Sequence, residues 1–341
     1  MKFGPVPLAQ AAGKLLAHNV AGPDGVRLFR KGRPLAPADV EALRAIGRTS
    51  VYVAELEPGD LAEDAAARRV AQAVAGPGLR PSGPAAGRMN LLAEVLGVLR
   101  VDAARLAALN ECEGITLATL GTHAAVRPRQ MVATIKIIPF AVPVATIEAA
   151  ERLGHAGGQP LLRVDALNPQ PVGLILSGSP SIREKLLDEF APLVERVTAL
   201  GARLLTPHFI PLEDEAGEAA LAAQLAAEAQ AGARLILLAG ETAIMDRYDI
   251  VPRALERAGG RVECVGAPVD PGNLLMLGYL GSVPVLGAPG CARSRKLNIV
   301  DWVLPRLLAG DVLTRADIFA LGHGGLLEDA PERPAPRSRL G

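Results

Sequence analysis

The hydrophobic pattern of the chain changes character near residue 171. From there on, short apolar runs alternate with amphipathic stretches. Val172 to Leu176 is an unbroken apolar run, the pattern of a strand covered on both faces. Ser181 to Leu200 predicts a helix. Ser181 and Glu184 have capping-box spacing, and Ile182, Leu186, Phe190, Leu193 and Val197 fall on one face. Arg203 to Leu205 starts a second strand, and Glu215 to Ala231 a second helix. Arg234 to Leu238 reads as a third buried strand and Ile250 to Ala258 as a third helix. Val262 to Val265 and Val283 to Leu286 are further strands, and Lys296 to Leu308 is the last long helix. Strands alternating with helices imply right-handed crossovers. The expected fold of residues 171–310 is therefore α/β, a three-layer α/β/α domain around a mostly parallel sheet.

The first half is less regular and predicts two smaller α+β domains. In residues 1–80, Leu8 to Leu16 is a short amphipathic stretch. Pro37 to Ile46 is a helix, with Pro37 and Asp39 suited to its first turn. Ser50 to Ala54 alternates as a strand does, and residues 59–80 are helical by composition. Gly76 to Gly78 and Pro81 to Pro84 break the pattern and are read as a linker. In the second unit, residues 85–165, Leu91 to Leu99 and Ala103 to Leu109 read as helical. Ile115 to Leu120 and Met131 to Ile138 read as strands, the latter bounded by Pro128 and Pro139. Gly154 to Gly158 and Asn168 to Pro171 are the next hinges. The segment 328–341 is rich in Pro and Arg and is expected to be disordered.

Composition narrows the function. The chain has 341 residues, enough for two or three domains at roughly 100–200 residues each. Half of it is apolar and only 3% is aromatic, so its cores must be aliphatic. Lys plus Arg equals Asp plus Glu at 36 each. That balance leaves no electrostatic footprint for nucleic acid or an acidic membrane. No apolar run reaches the ~18 residues of a membrane span, and no signal-peptide pattern follows Met1. Cys112, Cys264 and Cys291 lie far apart, which fits a reducing cytoplasm and neither a disulfide framework nor a zinc site. His18, His123, His155, His208 and His323 show no metal-ligand spacing and are read as structural or surface residues.

Candidate chemistry gathers in three loops, because ligands of open parallel sheets bind outside the carboxyl ends of the strands. The first loop is Ser177-Gly178-Ser179-Pro180-Ser181. Gly178 permits close backbone approach, and the following helix offers free N–H groups to an anion. Taken alone, the same turn is an ordinary N-cap. The second loop runs from Ala239 and Gly240 through Glu241, Thr242 and Asp246 to Asp249. It brings a hydroxyl, three carboxylates and Arg247 to one strand end, a set able to hold Mg²⁺ beside a phosphate. The alternative is a solvated loop with Asp249 as an N-cap. The third loop contains Gly287, Pro289, Gly290, Cys291, Arg293, Ser294, Arg295 and Lys296. Cations at a helix start oppose the macrodipole, and an anionic ligand would reconcile them. A solvated basic turn is the other possibility. Cys291 has no histidine near it in sequence and is read as a small structural residue.

These three loops, in this order, resemble those of the molybdopterin-binding family, which includes molybdopterin adenylyltransferase, molybdopterin molybdotransferase and gephyrin. Gly287-Ala288-Pro289-Gly290-Cys291-Ala292 is similar to the family's Gly-Leu-Pro-Gly-Asn-Pro turn. Gly240, Thr242, Asp249 and Pro252 match its Gly-Gly-x-Ser/Thr segment, the closing aspartate and the proline that follows. Pro271-Gly272-Asn273 resembles its Pro-Gly-Lys-Pro turn. Glu241 and Ala243 stand where the family has glycines, the second loop is about one residue longer, and the third lacks its Asn. Leu8 to Val20 and Leu35 to Val53 resemble parts of the molybdotransferase outside its binding domain.

The resemblance implies a cytoplasmic protein of molybdenum cofactor biosynthesis. It would bind molybdopterin or adenylated molybdopterin, a pterin phosphate, and assist molybdate insertion. It also implies a homo-oligomer, with a molybdoenzyme or another cofactor-biosynthesis protein as partner. Mg²⁺ is implied on Asp249 and Asp246, which are also the candidate catalytic groups. The ligand is expected on Ser177, Gly178, Ser179, Gly240, Glu241, Thr242, Pro271, Gly272, Gly287, Pro289, Gly290, Arg293 and Ser294. Two alternatives stand beside this reading. One is a carrier or chaperone without turnover. The other is a nucleotide pyrophosphatase of the competence-associated type, which uses a similar domain.

Overall fold

Alternation with period two along the buried strands assigns successive side chains to opposite faces of a sheet. In the computed structural model, which describes residues 1–212 and 215–327, this yields two apolar cores on one sheet. Leu174, Leu176, Leu235, Leu237 and Leu286 share one core with helical residues Leu186, Leu193, Val197, Val303 and Leu304. Ile175, Ile236, Leu238 and Val285 share the other with Leu221, Leu225, Ala254 and Leu255. The result is the expected three-layer α/β/α arrangement. Each fully buried leucine contributes about 1.5–3 kcal/mol of burial free energy. Truncating Leu237, which is completely buried, to Ala would remove about 2–5 kcal/mol.

The chain divides into two compact units. The second holds the described residues from Asp165 onward, with Val95–Val98 and His123–Ala125. Its seven-stranded sheet runs Arg203–Leu204, Pro171–Gly178, Leu235–Gly240, Val283–Gly287, Met276–Leu280, Arg261–Val265, and His208–Pro211 also pairs with Pro171–Gly178. Pro171–Gly178 is parallel to Arg203–Leu204, His208–Pro211 and Leu235–Gly240, and Leu235–Gly240 is parallel to Val283–Gly287. Met276–Leu280 is antiparallel to both neighbours, so the sheet is mostly parallel. That antiparallel strand, the strand His208–Pro211 and the helix Arg315–Phe319 were absent from the sequence expectation.

Two long helices are shorter than their patterns suggest. The expected helix from Ser181 to Leu200 is a 3-10 turn, Pro180–Ile182, then Arg183–Glu189 and Ala191–Ala199. Pro192 sits in the first turn of the last piece. Its ring excludes the carbonyl four residues back, so one continuous helix is impossible. The last long helix starts at Val300, not Lys296. Asn298 Oδ1 accepts the Val300 N–H, and Asp301 Oδ2 accepts the Asn298 N–H, which sets the start of the helix there.

The first unit comprises Met1–Glu94, Leu99–Thr122 and Val126–Val164. The Leu8–Leu16 stretch is one 3-10 turn, Leu8–Gln10, followed by a strand, Leu15–Leu16. Gly13 has φ 80° and ends the helical geometry between them. Pro37–Ala45 is the expected helix, and Ser50–Glu55 the expected strand, paired with a strand Lys2–Pro7. The Pro81–Pro84 segment is no linker. It lies in the edge strand Leu79–Ala85, where a missing N–H is tolerated. Leu91–Leu99 is not helical either. Arg88–Ala93 is a strand flanked by Leu79–Ala85 and Met131–Ile137, and Gly97–Val101 is another strand. The helix Val144–His155 went unforeseen. The expectation for residues 328–341 lies outside the described residues. Among the described residues, no helix is long and apolar enough to cross a membrane.

Candidate functional site

Strand order decides where a ligand has room. From Pro171–Gly178 the chain passes first to strands on one side of it, then returns to Leu235–Gly240 on the other. The crevice between the carboxyl ends of these two strands is a topological switch point, where open parallel sheets bind ligands. A cleft of about 310 Å³ opens there. Ser177, Gly178 and Ser179 form one wall, and Gly240, Glu241, Thr242 and Asp249 the other. Leu212, Leu238, Ile244, Val251 and Ala288 give it an apolar lining.

Seven of the expected site residues thus meet: Ser177, Gly178, Ser179, Gly240, Glu241, Thr242 and Asp249. Asp246, Pro271, Gly272, Gly287, Pro289, Gly290, Arg293 and Ser294 do not line the cleft. Gly272 and Gly287 have packing reasons instead. A Cβ on Gly272 would lie 2.3 Å from Ile299 Cγ2, and one on Gly287 would lie 2.6 Å from Ile244 Cδ1. Ser294 Oγ accepts the Lys296 N–H within its own turn. The apolar lining was missed, although Ile244 and Val251 are the only branched aliphatic residues flanking the polar stretch before and after Asp249 apart from Ile250.

Two cations of the third loop, Arg293 and Arg295, are matched by the protein's own anions. Arg293 Nη2 donates to the carbonyls of Gly240 at 2.7 Å and Glu241 at 3.1 Å. Its Nη1 pairs with Glu189 at 3.0 Å, and its guanidinium lies 4.8 Å from the Phe190 ring centroid. Arg293 is therefore a staple between the third loop, the second loop and the helix Arg183–Glu189. Arg295 forks onto Glu195 through both carboxylate oxygens. Arg196, which the sequence did not single out, donates to the Lys296 carbonyl and pairs with Asp301. Asn298, 1% exposed, donates to the carbonyls of Cys291 and Lys296. Arg293 and Arg295 thus need no external anion to be paired.

The carboxylates of the second loop are engaged in the same way. Asp249 is the N-cap of the helix Ile250–Arg257. Its Oδ1 accepts the Ile250 N–H at 2.8 Å and its Oδ2 the Met245 N–H at 3.2 Å. Asp246 Oδ1 accepts the Tyr248 N–H at 2.8 Å. Of the two, Asp249 lines the cleft. Among the described residues, no group of three or more His, Cys, Asp or Glu is arranged to hold a metal ion. The expected magnesium site on Asp249 and Asp246 has no support in this arrangement.

Glu241 is placed differently. Its Oε2 accepts both the Ser179 N–H and the Ser179 hydroxyl, each at 2.8 Å. The Ser179 N–H foremost, then the hydroxyl, holds the Glu241 carboxyl below the usual glutamate range, and Arg293 and Lys185 add attraction. The donors expected to meet a ligand's phosphate already hold an internal anion.

A family model described as a domain of unknown function (DUF8806) matches residues 5–55. No curated protein matches the chain. Among solved structures, the chain is similar to a molybdopterin biosynthesis moea protein from Pyrococcus horikosii, with 13% identity and a TM-score of 0.31, over 91% of this chain and 75% of that one. It is also similar to a molybdenum cofactor biosynthesis protein from Pyrococcus furiosus, at 14% identity and a TM-score of 0.23, over 91% and 64%. A third structure, a molybdenum cofactor biosynthesis protein B, is 16% identical with a TM-score of 0.30 and spans 42% of this chain and 96% of its own.

Proposed function

We propose that the cleft binds the pterin of molybdopterin or adenylated molybdopterin, and that the chain serves molybdenum cofactor biosynthesis as a molybdotransferase-like protein. The observation that carries this reading is the cleft's position at the switch point between Pro171–Gly178 and Leu235–Gly240. Its volume of about 310 Å³ lies at the small end of ligand sites, which begin near ~300 Å³. Leu238, Ile244 and Val251 offer apolar surface to a planar ring, and Ser177, Thr242 and Asp249 offer polar groups to its edge. The pterin itself comes from the resemblance at Gly240, Thr242, Asp249 and Pro252.

A second reading, carriage of the cofactor without turnover, is favoured by one observation. Asp249 and Arg293, the groups best suited to chemistry on a phosphate, are tied to backbone N–H and C=O groups. The work left to the site is then holding and orienting the ligand. Titration of the full chain with molybdopterin tests binding. Ala243 lines the cleft, so Ala243→Phe fills it and is expected to abolish binding without altering the fold. Absence of wild-type binding at micromolar ligand, or undiminished binding by Ala243→Phe, overturns the assignment. Molybdate-dependent AMP release from the adenylated form separates the transferase from the carrier.

A further inference from the structure

Two large apolar side chains stand in open solvent at the rim of the cleft. Tyr248 is 80% exposed and Met245 70%, and no large hydrophobic residue among the described ones is more exposed than Tyr248. Both lie on a four-residue excursion, Met245 to Tyr248, whose two flanks, Ile244 and Asp249, line the cleft. Polar contacts hold the excursion in shape. Asp249 Oδ2 accepts the Met245 N–H at 3.2 Å and closes its base. Asp246 Oδ1 accepts the Tyr248 N–H at 2.8 Å, and the Asp246 carbonyl accepts the Asp249 N–H. Arg247 pairs at 3.1 Å with Glu256 on the helix Ile250–Arg257. At their exposures, Tyr248 and Met245 add little burial to the fold. Single exposed apolar residues are ordinary, but two on a braced excursion at the mouth of a cleft form a surface.

We propose that Tyr248 is a specificity-determining residue, a shelf on which the purine of the adenylated ligand stacks while the pterin occupies the cleft. This rests on the pterin reading of the cleft and names which form of the ligand the site favours. The cleft, at about 310 Å³, is at the small end of ligand sites, so a pterin lying in it leaves a second ring system outside. Tyr248 offers that ring an aromatic face, and Met245 a polarisable thioether on the same excursion. Adenine is uncharged at neutral pH, so the carboxylate of Asp246 does not repel it. Because the backbone is already braced, stacking orders little besides two side chains, and little of its free energy is lost to that cost.

The test uses the full chain as wild type, Tyr248→Ala and Tyr248→Phe, each titrated with molybdopterin and with adenylated molybdopterin. The wild type is expected to bind the adenylated form roughly tenfold more tightly, within the range that base stacking on one aromatic side chain supplies. Tyr248→Ala is expected to bind both forms equally, and molybdopterin as the wild type does. Tyr248→Phe keeps the ring face and is expected to keep the preference. A wild type without the preference, a preference that survives in Tyr248→Ala, or one lost in Tyr248→Phe overturns the proposal. If neither form binds any of the three proteins, the pterin reading fails, and etheno-AMP followed by fluorescence anisotropy decides the role of Tyr248. The wild type and Tyr248→Phe are then expected to bind it roughly tenfold more tightly than Tyr248→Ala. Equal binding by all three, or none, overturns the inference.

Discussion

If Arg293 is a staple, its loss must destabilise the protein with no ligand present. Arg293→Ala removes a charged donor from two carbonyls, at 2.7 and 3.1 Å, in a half-buried setting. Hydrogen bonds to charged groups are each worth about 1.5–3 kcal/mol. The stacking over Phe190 adds about 0.5–1 kcal/mol, and the partly exposed pair with Glu189 at most about 1 kcal/mol. Rehydration of the freed carbonyls and about 2 kcal/mol of regained side-chain entropy offset much of this sum. The net loss is about 2–3 kcal/mol, equivalent to roughly 5–10 °C in Tm for a unit of this size. The sole tryptophan, Trp302, lies in the helix Val300–Leu308 and packs against the core of the same unit. Its fluorescence therefore reports the unfolding of that unit. In urea, the transition followed by Trp302 is expected to fall by about 1 M in Arg293→Ala. Arg295→Ala, which breaks an exposed pair with Glu195, is the control and is expected to leave the midpoint in place. A wild-type midpoint in Arg293→Ala would refute the staple and return Arg293 to the role of a ligand's counter-ion.

The same fluorescence transition checks four further expectations. Gly272→Ala drives a Cβ to 2.3 Å from Ile299 Cγ2 at φ 144°, and is expected to destabilise by about 1–3 kcal/mol while leaving ligand affinity unchanged in the surviving folded protein. Asp249→Ala removes the acceptor for two backbone N–H groups and is expected to lose about 1–2 kcal/mol; Asp249→Asn, which still caps the helix, should lose less than half of that, and a reversed order would mean that the charge and not the cap matters. His208→Ala strips the 2.8 Å partner from the Glu228 carboxylate, 2% exposed and otherwise held by Gln224, and is expected to lose about 1–3 kcal/mol. The Thr314 hydroxyl, then its N–H, holds the Asp317 carboxyl below the usual aspartate range, so this contribution is full above about pH 4 and is lost as pH falls through the depressed value. Thr314→Ala should accordingly differ most from the wild type near neutrality and converge on it in acid, as read from urea midpoints across the acid range.

What the sequence made legible follows from burial. Val172 to Leu176 and Leu235 to Leu238 are apolar on both faces because helices cover both faces, so a bare hydrophobic run identifies the strand. The α/β alternation and the position of the first two loops follow from those runs. Leu91 to Leu99 failed for the opposite reason. Its apolar residues satisfy a helical period and a strand period alike, and the choice is made by strands at Leu79–Ala85 and Met131–Ile137 that lie beside Arg88–Ala93. Pro81 and Pro84 looked like a linker because their tolerance depends on an edge position that only the assembled sheet defines.

The chemistry of the loops was harder to read than their location, and the reason is long-range charge pairing. Arg293, Arg295 and Lys296 look like an unmatched cationic cluster along the chain. In space, Glu189 and Glu195 on the preceding helices meet Arg293 and Arg295, and neither pairing has a local signature. Asp249 could be recognised as a cap because its partner, the Ile250 N–H, is the adjacent residue. Glu241 shows both effects at once. In sequence it is a departure from a glycine pair with no assigned purpose. In the fold it reaches Ser179 across adjacent strand ends and accepts hydrogen bonds from its N–H and hydroxyl, a pairing that no local pattern in the sequence announces.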